Sequence, residues 1–445
     1  MTHYDHGNDW KVRGHLQAAM QAQNEGDAVL LGADGKIPGE FVSGSGFRYG
    51  LAFNPTTFKT DPTGCLTYTL ECANHTPVSN LNNVLSTGSW KKEDPMLAEC
   101  FYATISADGD ILHVLNPNNL AQDINGVDVS AEITTENVMF CVPTRYISRN
   151  ASGIVHSSRP SDGIPYAHRR GGHTYKYCAI GVYPGVTVND NGTNKLKSVS
   201  GVTPTNNTTG ENFRQYAKNN DTDLEWHVWN FHEWALMRDM TLFCLKSFDS
   251  QRRLGQGVST GGSSGNPNFQ NNGTLNASGM FAGDVSGTTS SVKCLIENSW
   301  ATVWQLVDDC LLTAYRAKTG TEPFAYYQDF YVGDNDNAHV DDLTTSKILA
   351  YSMPIPDTRL SSGGWVYSDV IETSEQAWGM PNNLTGGDAA GLCDGHYMQG
   401  AAQRAIRVGG ASNGGSHDGL SALALDNALS HASWTAGARL AFSFD

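Results

Sequence analysis

The residues that could carry out chemistry are concentrated near the end of the chain. The run Gly410-Ala411-Ser412-Asn413-Gly414 matches the G-x-S-x-G pattern of many serine hydrolases, and Asp426 and His431 follow in the order that a triad needs. That pattern requires a strand, a sharp turn and then a helix, whereas Gly414 is followed at once by another glycine. A second match at 257–261 shows how easily Gly- and Ser-rich sequence produces the pattern. We therefore expect no catalytic site, and a hydrolase is kept as an alternative.

A binding surface is the favoured interpretation of the same stretch. Its short polar side chains offer hydrogen bonds at low entropic cost, and its histidines and tryptophan could stack on a ring. The predicted ligand-binding residues are Ser412, Asn413, Ser416, His417, Asp418, Leu420, Ser421, Ala422, Asp426, Ser430, His431 and Trp434. The alternative is an ordinary surface loop, with Trp434 and Leu425 in the core.

Two other clusters could hold an ion. Asp334, Asp336, Asp341 and Asp342 offer the hard oxygen ligands that Ca²⁺ prefers, although their spacing is not that of an EF-hand. Solvated acidic turns are the more common outcome, so no cofactor is expected and Ca²⁺ is the alternative. The run His-Arg-Arg-Gly-Gly-His at 168–173 could ligate a metal or an anion, but a polar turn in a β domain is the favoured interpretation.

Regular elements must position these residues, and their spacing predicts several of them. Alternating apolar residues predict strands around 406–408 and 440–444, which would frame the polar stretch between them. Helical spacing predicts a helix from Phe231 to Phe248 with Asn230 as its cap, and a short helix over 211–217. Further strands are predicted at 67–70, 111–115, 137–147, 175–183 and 225–229. Trp226, Trp229, Trp234, Trp300 and Trp304 have core spacing.

Composition limits the class of protein. With 47 glycines and 17% charged residues among 445, the chain is β-leaning and rich in loops. Its formal charge of −16, without a Lys/Arg block, argues against nucleic acid and anionic membranes as partners. No apolar window is long enough for a membrane-spanning helix, and residues 1–6 do not look like a signal peptide. Nine scattered cysteines, none in C-x-x-C, predict buried free thiols made in a reducing cytoplasm.

These patterns predict an α+β chain in three parts. Residues 1–41 would form an N-terminal segment and linker, and 42–130 a small β-rich domain. Residues 131–445 would form the ligand-binding domain, with a Gly/Ser/Asn-rich excursion at 252–291 that is either functional or mobile.

Six short motifs, taken in order, resemble a family of phage and prophage tail or fibre proteins with a C-type-lectin-like C-terminal domain. Some members of that family are variable proteins of diversity-generating retroelements. The motifs are Lys195 to Val202, Phe213 to Asn219, Trp226-His227 to Trp234, Ser250-Gln251 to Gly257, Glu297 to Asp308, and Arg407 to Gly410 with Gly437 to Leu440. The linker Asp34-Gly35-Lys36-Ile37-Pro38 is similar to a phrase that follows the virion-attachment end of phage tail-fibre proteins, so the resemblance implies that residues 1–41 are an attachment segment.

The motifs also echo the wider formylglycine-generating-enzyme fold, with informative departures. That fold usually has Gly-Asn before its Val-Trp, where this chain has Ala301-Thr302. Its oxidase members need cysteines near the C-terminal end for copper-thiolate chemistry. Here the last cysteine is Cys393 and none follows Gly410, so that activity is not expected.

The resemblance implies a non-enzymatic virion protein whose lectin-like domain consists of two short helices on a small twisted sheet with long loops. It would bind a host cell-surface glycan or protein through residues 412–434, contact other virion proteins and form a homotrimer. It would lie in a tail or capsid fibre after synthesis in the host cytoplasm. The alternatives are a structural component, such as a capsid decoration or baseplate protein, and a surface-glycan hydrolase.

Overall fold

The fold is dominated by β-structure. The computed structural model describes residues 46–333 and 347–445, so the predicted attachment segment 1–41 lies outside it. Strands account for 34% and helices for 14%, which confirms the β-rich character and places the chain nearer to mainly-β than to an even α+β mixture.

The described strands are numbered here in chain order. The first thirteen are β1 (Arg48–Phe53), β2 (Leu66–Leu70), β3 (Phe101–Ile105), β4 (Ile111–Asn116), β5 (Asn119–Asp123), β6 (Asn137–Pro143), β7 (Tyr146–Asn150), β8 (Gly153–Ser157), β9 (Arg169–Arg170), β10 (His173–Thr174), β11 (Tyr177–Gly181), β12 (Val186–Asp190) and β13 (Thr193–Lys197). The others are β14 (Trp226–Val228), β15 (Phe281–Ala282), β16 (Lys293–Cys294), β17 (Ile296–Glu297), β18 (Trp304–Leu312), β19 (Arg316–Ala317), β20 (Tyr326–Gly333), β21 (Lys347–Ile355), β22 (Gly364–Val366), β23 (His396–Met398), β24 (Arg404–Val408), β25 (Leu423–Leu425), β26 (Ala436–Ala438) and β27 (Leu440–Phe444).

The two longest described helices begin and end where local chemistry requires it. The helices are α1 (Pro55–Phe58), α2 (Pro95–Ala98), α3 (Gly210–Lys218), α4 (Phe231–Leu245) and α5 (Ser250–Arg253). Helix α3 begins after Thr209, whose side chain accepts a hydrogen bond from the Asn212 N–H. Helix α4 begins with a capping box between Asn230 and Glu233 and ends at Lys246, which is left-handed. Both predicted helices are confirmed, and α4 ends three residues earlier than predicted.

Three larger sheets organise the strands. One has four strands in the order β2-β1-β8-β7, and a second has seven in the order β14-β27-β11-β6-β3-β4-β5. The third has the path β19-β20-β18-β24-β25-β23-β22, with β21 on β20 and β26 on β18. The chain therefore leaves the third sheet at β26 and enters the second at β27, with a single residue, Arg439, between the two strands.

The predicted division at residue 130 does not separate two packed units in the described chain. Strand β3 pairs with β6 along its whole length, and β6 pairs with β11, so one sheet continues across that position. A single hydrophobic core also runs from Phe47 to Phe444. Alternation in the sequence identifies strands but does not tell which distant strand each will pair with.

The main core contains four of the five predicted tryptophans. Trp226, Trp229, Trp234 and Trp300 are at most 4% exposed, as core spacing predicts. Trp304 belongs instead to a smaller cluster with Ala411, Ala422 and Ala424, on which Trp365 packs. All nine cysteines are buried and free, which confirms the prediction for the thiols. Among residues 46–333 and 347–445, no helix combines the length and apolar character needed to cross a bilayer.

Arg439 joins the two sheets at the point where the chain changes from one to the other. Its buried guanidinium donates to the carbonyls of Gly181, Val182, Glu297 and Asn298 at 2.7–3.1 Å, and to the Gln305 side chain at 2.7 Å. It also lies 5.2 Å from the centre of the Trp229 ring. Arg439, the arginine of the Gly437 to Leu440 motif, is thus a buried residue that connects the two sheets rather than a surface group.

The polar excursion at 252–291 is tied to the fold by hydrogen bonds. Asn272 is 1% exposed, and its amide donates to the carbonyls of Pro184 at 2.9 Å and Val199 at 3.1 Å. The buried Glu297 carboxylate accepts from the Gly273 N–H at 3.0 Å and the Leu275 N–H at 3.3 Å. The excursion therefore supplies hydrogen-bond partners to buried groups, through the Asn272 side chain and through main-chain N–H groups.

Candidate ligand-binding face

The polar stretch near the end of the chain forms two loops beside the large sheet. Strands β24 and β25 pair directly, with Arg407 opposite Ala424 and Val408 opposite Leu423. Residues 409–422 connect these two strands, and residues 426–435 lead on to β26. We call the exposed surface of these two loops the loop face. The predicted flanking strands at 406–408 and 440–444 are both present, as β24 and β27.

The first loop is built around a buried carboxylate. Asp418 is completely buried, and one carboxylate oxygen accepts a hydrogen bond from the Ala411 N–H at 3.0 Å. Gly410 has a φ of +102°, and a Cβ at Gly410 or Gly414 would collide with the Asp418 carboxylate. The glycines of this segment therefore allow the backbone to close around Asp418.

Ser412 connects this loop to the excursion at 252–291. Its hydroxyl is buried and donates to the Pro267 carbonyl at 2.5 Å, while its own carbonyl accepts from the Gly262 N–H at 2.9 Å. A short 3₁₀ turn at Gly415–His417 follows, where a nucleophile elbow would have a helix.

The twelve predicted ligand-binding residues fall into three groups by exposure. Those with exposed side chains are Asn413, Ser416, Ser430 and His431, and those partly buried are His417, Asp426 and Trp434. The buried ones are Ser412, Asp418, Leu420, Ser421 and Ala422. Members of the buried group could serve a ligand only by holding the loops in place. Leu425 is also buried, as its alternative assignment to the core predicted.

A second buried carboxylate lies behind the first loop. Asp394 is 2% exposed and accepts a hydrogen bond from the Ser421 N–H at 2.7 Å. Burial raises the pKa of both Asp394 and Asp418 well above the usual range, and the nearby charges of Asp249 and Asp418 raise the pKa of Asp394 further. The loop therefore favours the protonated form of these acids.

Replacing Asp418 with Asn should make stability less dependent on pH. A folded pKa above the unfolded value means that the folded state holds more protons, so this group costs stability as pH rises above about 4, near the unfolded pKa. The free energy of unfolding of the wild type should therefore fall more steeply between pH 5 and pH 8 than that of Asp418→Asn. Urea unfolding at several pH values measures the difference. The exposed Asp388→Asn is the control, and an equal change in both variants would contradict the prediction.

An aromatic group borders the first loop, and the sequence patterns did not assign it. Trp365 on β22 pairs across the sheet with Tyr397 on β23, and their rings meet edge to face at 5.2 Å. His417 stacks on Trp365 at 4.1 Å, and its Nδ1 lies 2.5 Å from the Tyr367 hydroxyl. Burial lowers the pKa of His417, against an opposing effect of the Asp388 charge. The short alternating segments around residues 365 and 397 were the available sequence signal.

The other candidate clusters have different outcomes. The four aspartates proposed for Ca²⁺ lie outside the described residues. Within 46–333 and 347–445, no group of three or more His, Cys, Asp or Glu side chains is arranged to hold a metal ion. The run 168–173 contributes to the β9–β10 hairpin, which confirms the polar-turn interpretation. Its Arg170 is buried and donates to Glu233 at 2.7 Å.

Comparison with known proteins yields only distant likenesses. No protein-family model and no curated protein matches the chain. Among solved structures, the chain is similar to the Major Tropism Determinant P3c and U1 variants, at 10% identity and TM-scores of 0.26 and 0.27, covering 77% of this chain and 72% of each of those. It is also similar to the I1 variant, at 10% identity and a TM-score of 0.27, covering 92% of this chain and 89% of that one. Scores this low carry no argument about fold or function.

Proposed function

We propose that this chain is a phage receptor-binding protein that attaches to a host cell-surface ligand through the loop face. The observation that carries the proposal is the contrast within one stretch. Asn413, Ser416, Ser430 and His431 present short polar or aromatic side chains to solvent. Buried Ser412 and Asp418, in contrast, stabilise the loop 409–422 by hydrogen bonds. Exposed polar groups on a rigid support can make directed contacts with little loss of conformational freedom.

The motif series in the sequence supports the phage and lectin-like parts of the proposal. In this view the ligand is a host glycan or protein, the chain forms a homotrimer in a tail or capsid fibre, and other virion proteins hold it. Several copies on one particle would raise a modest affinity by about 10²–10⁴-fold through effective concentration. Direct and strong binding by one copy is then not required.

The absence of catalysis is also part of the proposal. It is supported by the Ser412 hydroxyl, which is buried and donates to a main-chain carbonyl, so it is not presented to a substrate. Asp426 is partly buried, the charges of Arg407 and Arg404 act on it, and the side-chain amide of Asn427 donates to it at 2.7 Å. These partners suit a structural role for the groups that a hydrolase would use.

Changing the exposed part of the loop face should reduce adsorption. The test variant replaces Asn413, Ser416, Ser430 and His431 with alanine, and adsorption of particles to host cells should fall at least about tenfold, equivalent to 1.4 kcal/mol. The matched control replaces the exposed Asn74, Ser130, Ser278 and His173, which have the same residue types.

Each outcome of that experiment separates the functional classes. Unchanged adsorption by otherwise intact test particles would rule out the proposed face. Failure of particles to assemble when the whole chain is deleted, with normal adsorption by the test variant, would favour a structural virion component instead.

A further inference from the structure

We propose that the ring of a neutral saccharide binds at an aromatic corner formed by Trp365, Tyr367, Tyr397 and His417. This inference rests on the proposed function, because it specifies the chemical class of the receptor. It also extends the binding site to strands β22 and β23, which precede the loop face by up to about fifty residues in the sequence.

Sheet pairing positions the rings of Trp365 and Tyr397. Trp365 and Tyr397 lie directly opposite each other, and β23 continues the sheet by pairing Tyr397 with Ala424 of β25. Trp365 packs on the small cluster that contains Ala411, Ala422, Ala424 and Trp304. Alanines leave little side-chain bulk above the sheet, so the larger aromatic rings form the walls of the corner.

The first loop contributes the His417 ring and its hydrogen-bonding neighbours. His417 is held by its stack on Trp365, by the Tyr367 hydroxyl, and by the Gly395 N–H, which donates to its carbonyl at 2.9 Å. The adjacent exposed residues Asn413 and Ser416 belong to the same loop. Two elements that are distant in sequence thus meet at one preorganised surface.

Partial exposure distinguishes this corner from the main core. Trp365, Tyr367, Tyr397 and His417 are all of intermediate exposure, whereas the tryptophans of the core are nearly inaccessible. Partly exposed aromatic residues with polar tips give both an apolar surface and hydrogen-bonding groups. They therefore provide an amphipathic surface.

A pyranose ring fits this combination because its C–H face is apolar and its hydroxyl groups surround that face. The aromatic rings can contact the C–H face, and the amide of Asn413 and the hydroxyls of Ser416 and Tyr367 can bond to the rim. The charge of the exposed Asp388 acts on both Tyr367 and His417, and the chain carries −16 overall. That charge disfavours anionic sugars and selects the neutral class.

A cationic ligand is the competing class, because aromatic rings and carboxylates also attract ammonium groups. The hydroxyls and amide at the rim favour a ligand with many hydroxyl groups.

The test uses the full chain, cells of the phage's host, and an array of neutral, acidic and amino-bearing saccharides with choline as an added probe. Tyr397→Ala should lower binding to host cells and to neutral saccharides at least tenfold, and Tyr367→Phe should lower it several-fold by removing one hydroxyl. The control Tyr315→Ala removes another exposed tyrosine, 41% accessible, and should leave binding unchanged. Urea unfolding of every variant identifies any loss of binding that comes from misfolding. Because Tyr367→Phe keeps the aromatic ring, it still tests the proposal if Tyr397→Ala does not fold.

Chemical and enzymatic treatment of the host cells distinguishes a saccharide receptor from a protein receptor. Mild periodate oxidation, which cleaves vicinal diols of sugars, should abolish binding, whereas protease treatment should not. Binding that survives periodate but is lost after protease, or that selects choline or acidic sugars, would overturn the saccharide inference and leave the proposed function intact. Failure of the wild type to bind host cells at all would overturn the proposed function.

Discussion

Replacing Arg439 with Met should lower the free energy of unfolding by about 3–5 kcal/mol, because several buried acceptors lose their donor together. Four of these are main-chain carbonyls and one is the Gln305 side chain. Two of the carbonyls keep a second donor, Val182 the Glu297 N–H at 2.8 Å and Asn298 the Gln305 side-chain amide at 2.7 Å, so the loss is smaller than five independent bonds would give. Burial lowers the pKa of Arg439 to about 9, so the guanidinium is charged at neutral pH and these are charge-assisted bonds. Urea unfolding at pH 7 measures the effect.

Two further variants distinguish the loss of these hydrogen bonds from the general effect of removing an arginine. Arg439→Lys keeps a charge but has three donors on one atom, so it should recover only part of the stability. Arg252→Met removes an exposed arginine and should change stability by less than about 0.5 kcal/mol. A loss below about 1 kcal/mol for Arg439→Met would show that the two sheets do not depend on this side chain.

The second large effect is expected at Glu233, which closes the capping box of α4. One carboxylate oxygen accepts from the Asn230 N–H at 2.8 Å, and the other lies 2.7 Å from Arg170 and 2.8 Å from His227. Burial alone would raise the pKa of Glu233, but the charges and hydrogen bonds of His227 and Arg170, with the Asn230 N–H, outweigh it and lower the pKa to about 2. Glu233→Gln should cost about 3–5 kcal/mol at pH 7, since the buried Arg170 loses its close anion and keeps only the half-exposed Glu225 carboxylate at 3.8 Å.

The pH dependence of that loss has a definite sign. Because the folded pKa is about 2 and the unfolded value is 4.5, the stability from Glu233 is present above pH 4.5 and is lost as pH falls toward 2. The difference in the free energy of unfolding between the wild type and Glu233→Gln should therefore decrease by about 3 kcal/mol through this window. Parallel unfolding curves from pH 7 to pH 2 measure the gap, and a constant difference would contradict the linkage.

Local patterns predicted α3, α4 and the strands beside the polar stretch, because those signals lie within a few residues. The single strand predicted at 137–147 was wrong, since the chain forms β6 up to Pro143 and then β7 in a different sheet. The spacing of Phe231, Trp234 and Leu242, with Asn230 before them, specifies α4 and its start. Its last turn was overestimated because the left-handed conformation of Lys246 leaves no mark in apolar spacing. The strands at both ends of the polar stretch were predicted for the same local reason.

Pairing between distant segments could not be predicted in this way. Strand β27 lies between β11 and β14, and its partners are more than two hundred residues earlier in the chain. The aromatic corner depends on the same kind of contact, since residues 365, 397 and 417 meet only after the sheet has formed. The boundary predicted at residue 130 followed the local strand and turn pattern of 42–130, whereas β3 and β6 pair across it.

Burial of polar residues was the other source of difference. Ser412 and Asp418 are short and polar, which is typical of a surface loop, yet both are completely buried. Their place is set by main-chain groups that need a partner, namely the Pro267 carbonyl and the Ala411 N–H. A single sequence does not reveal such needs, because every residue carries the same main-chain groups.

The acceptors of Arg439 have a consequence for how this chain can change over generations. Four of its five acceptors are carbonyl oxygens of the main chain, which are present whatever side chains those positions carry. Substitutions at Gly181, Val182, Glu297 or Asn298 that keep the backbone path would leave these bonds in place. Gln305 is the exception, because it accepts through its side chain. Among related sequences, position 305 is therefore where replacement should track the identity of residue 439, whereas the bonds to Arg439 place no such requirement on the side chains at the four main-chain acceptors.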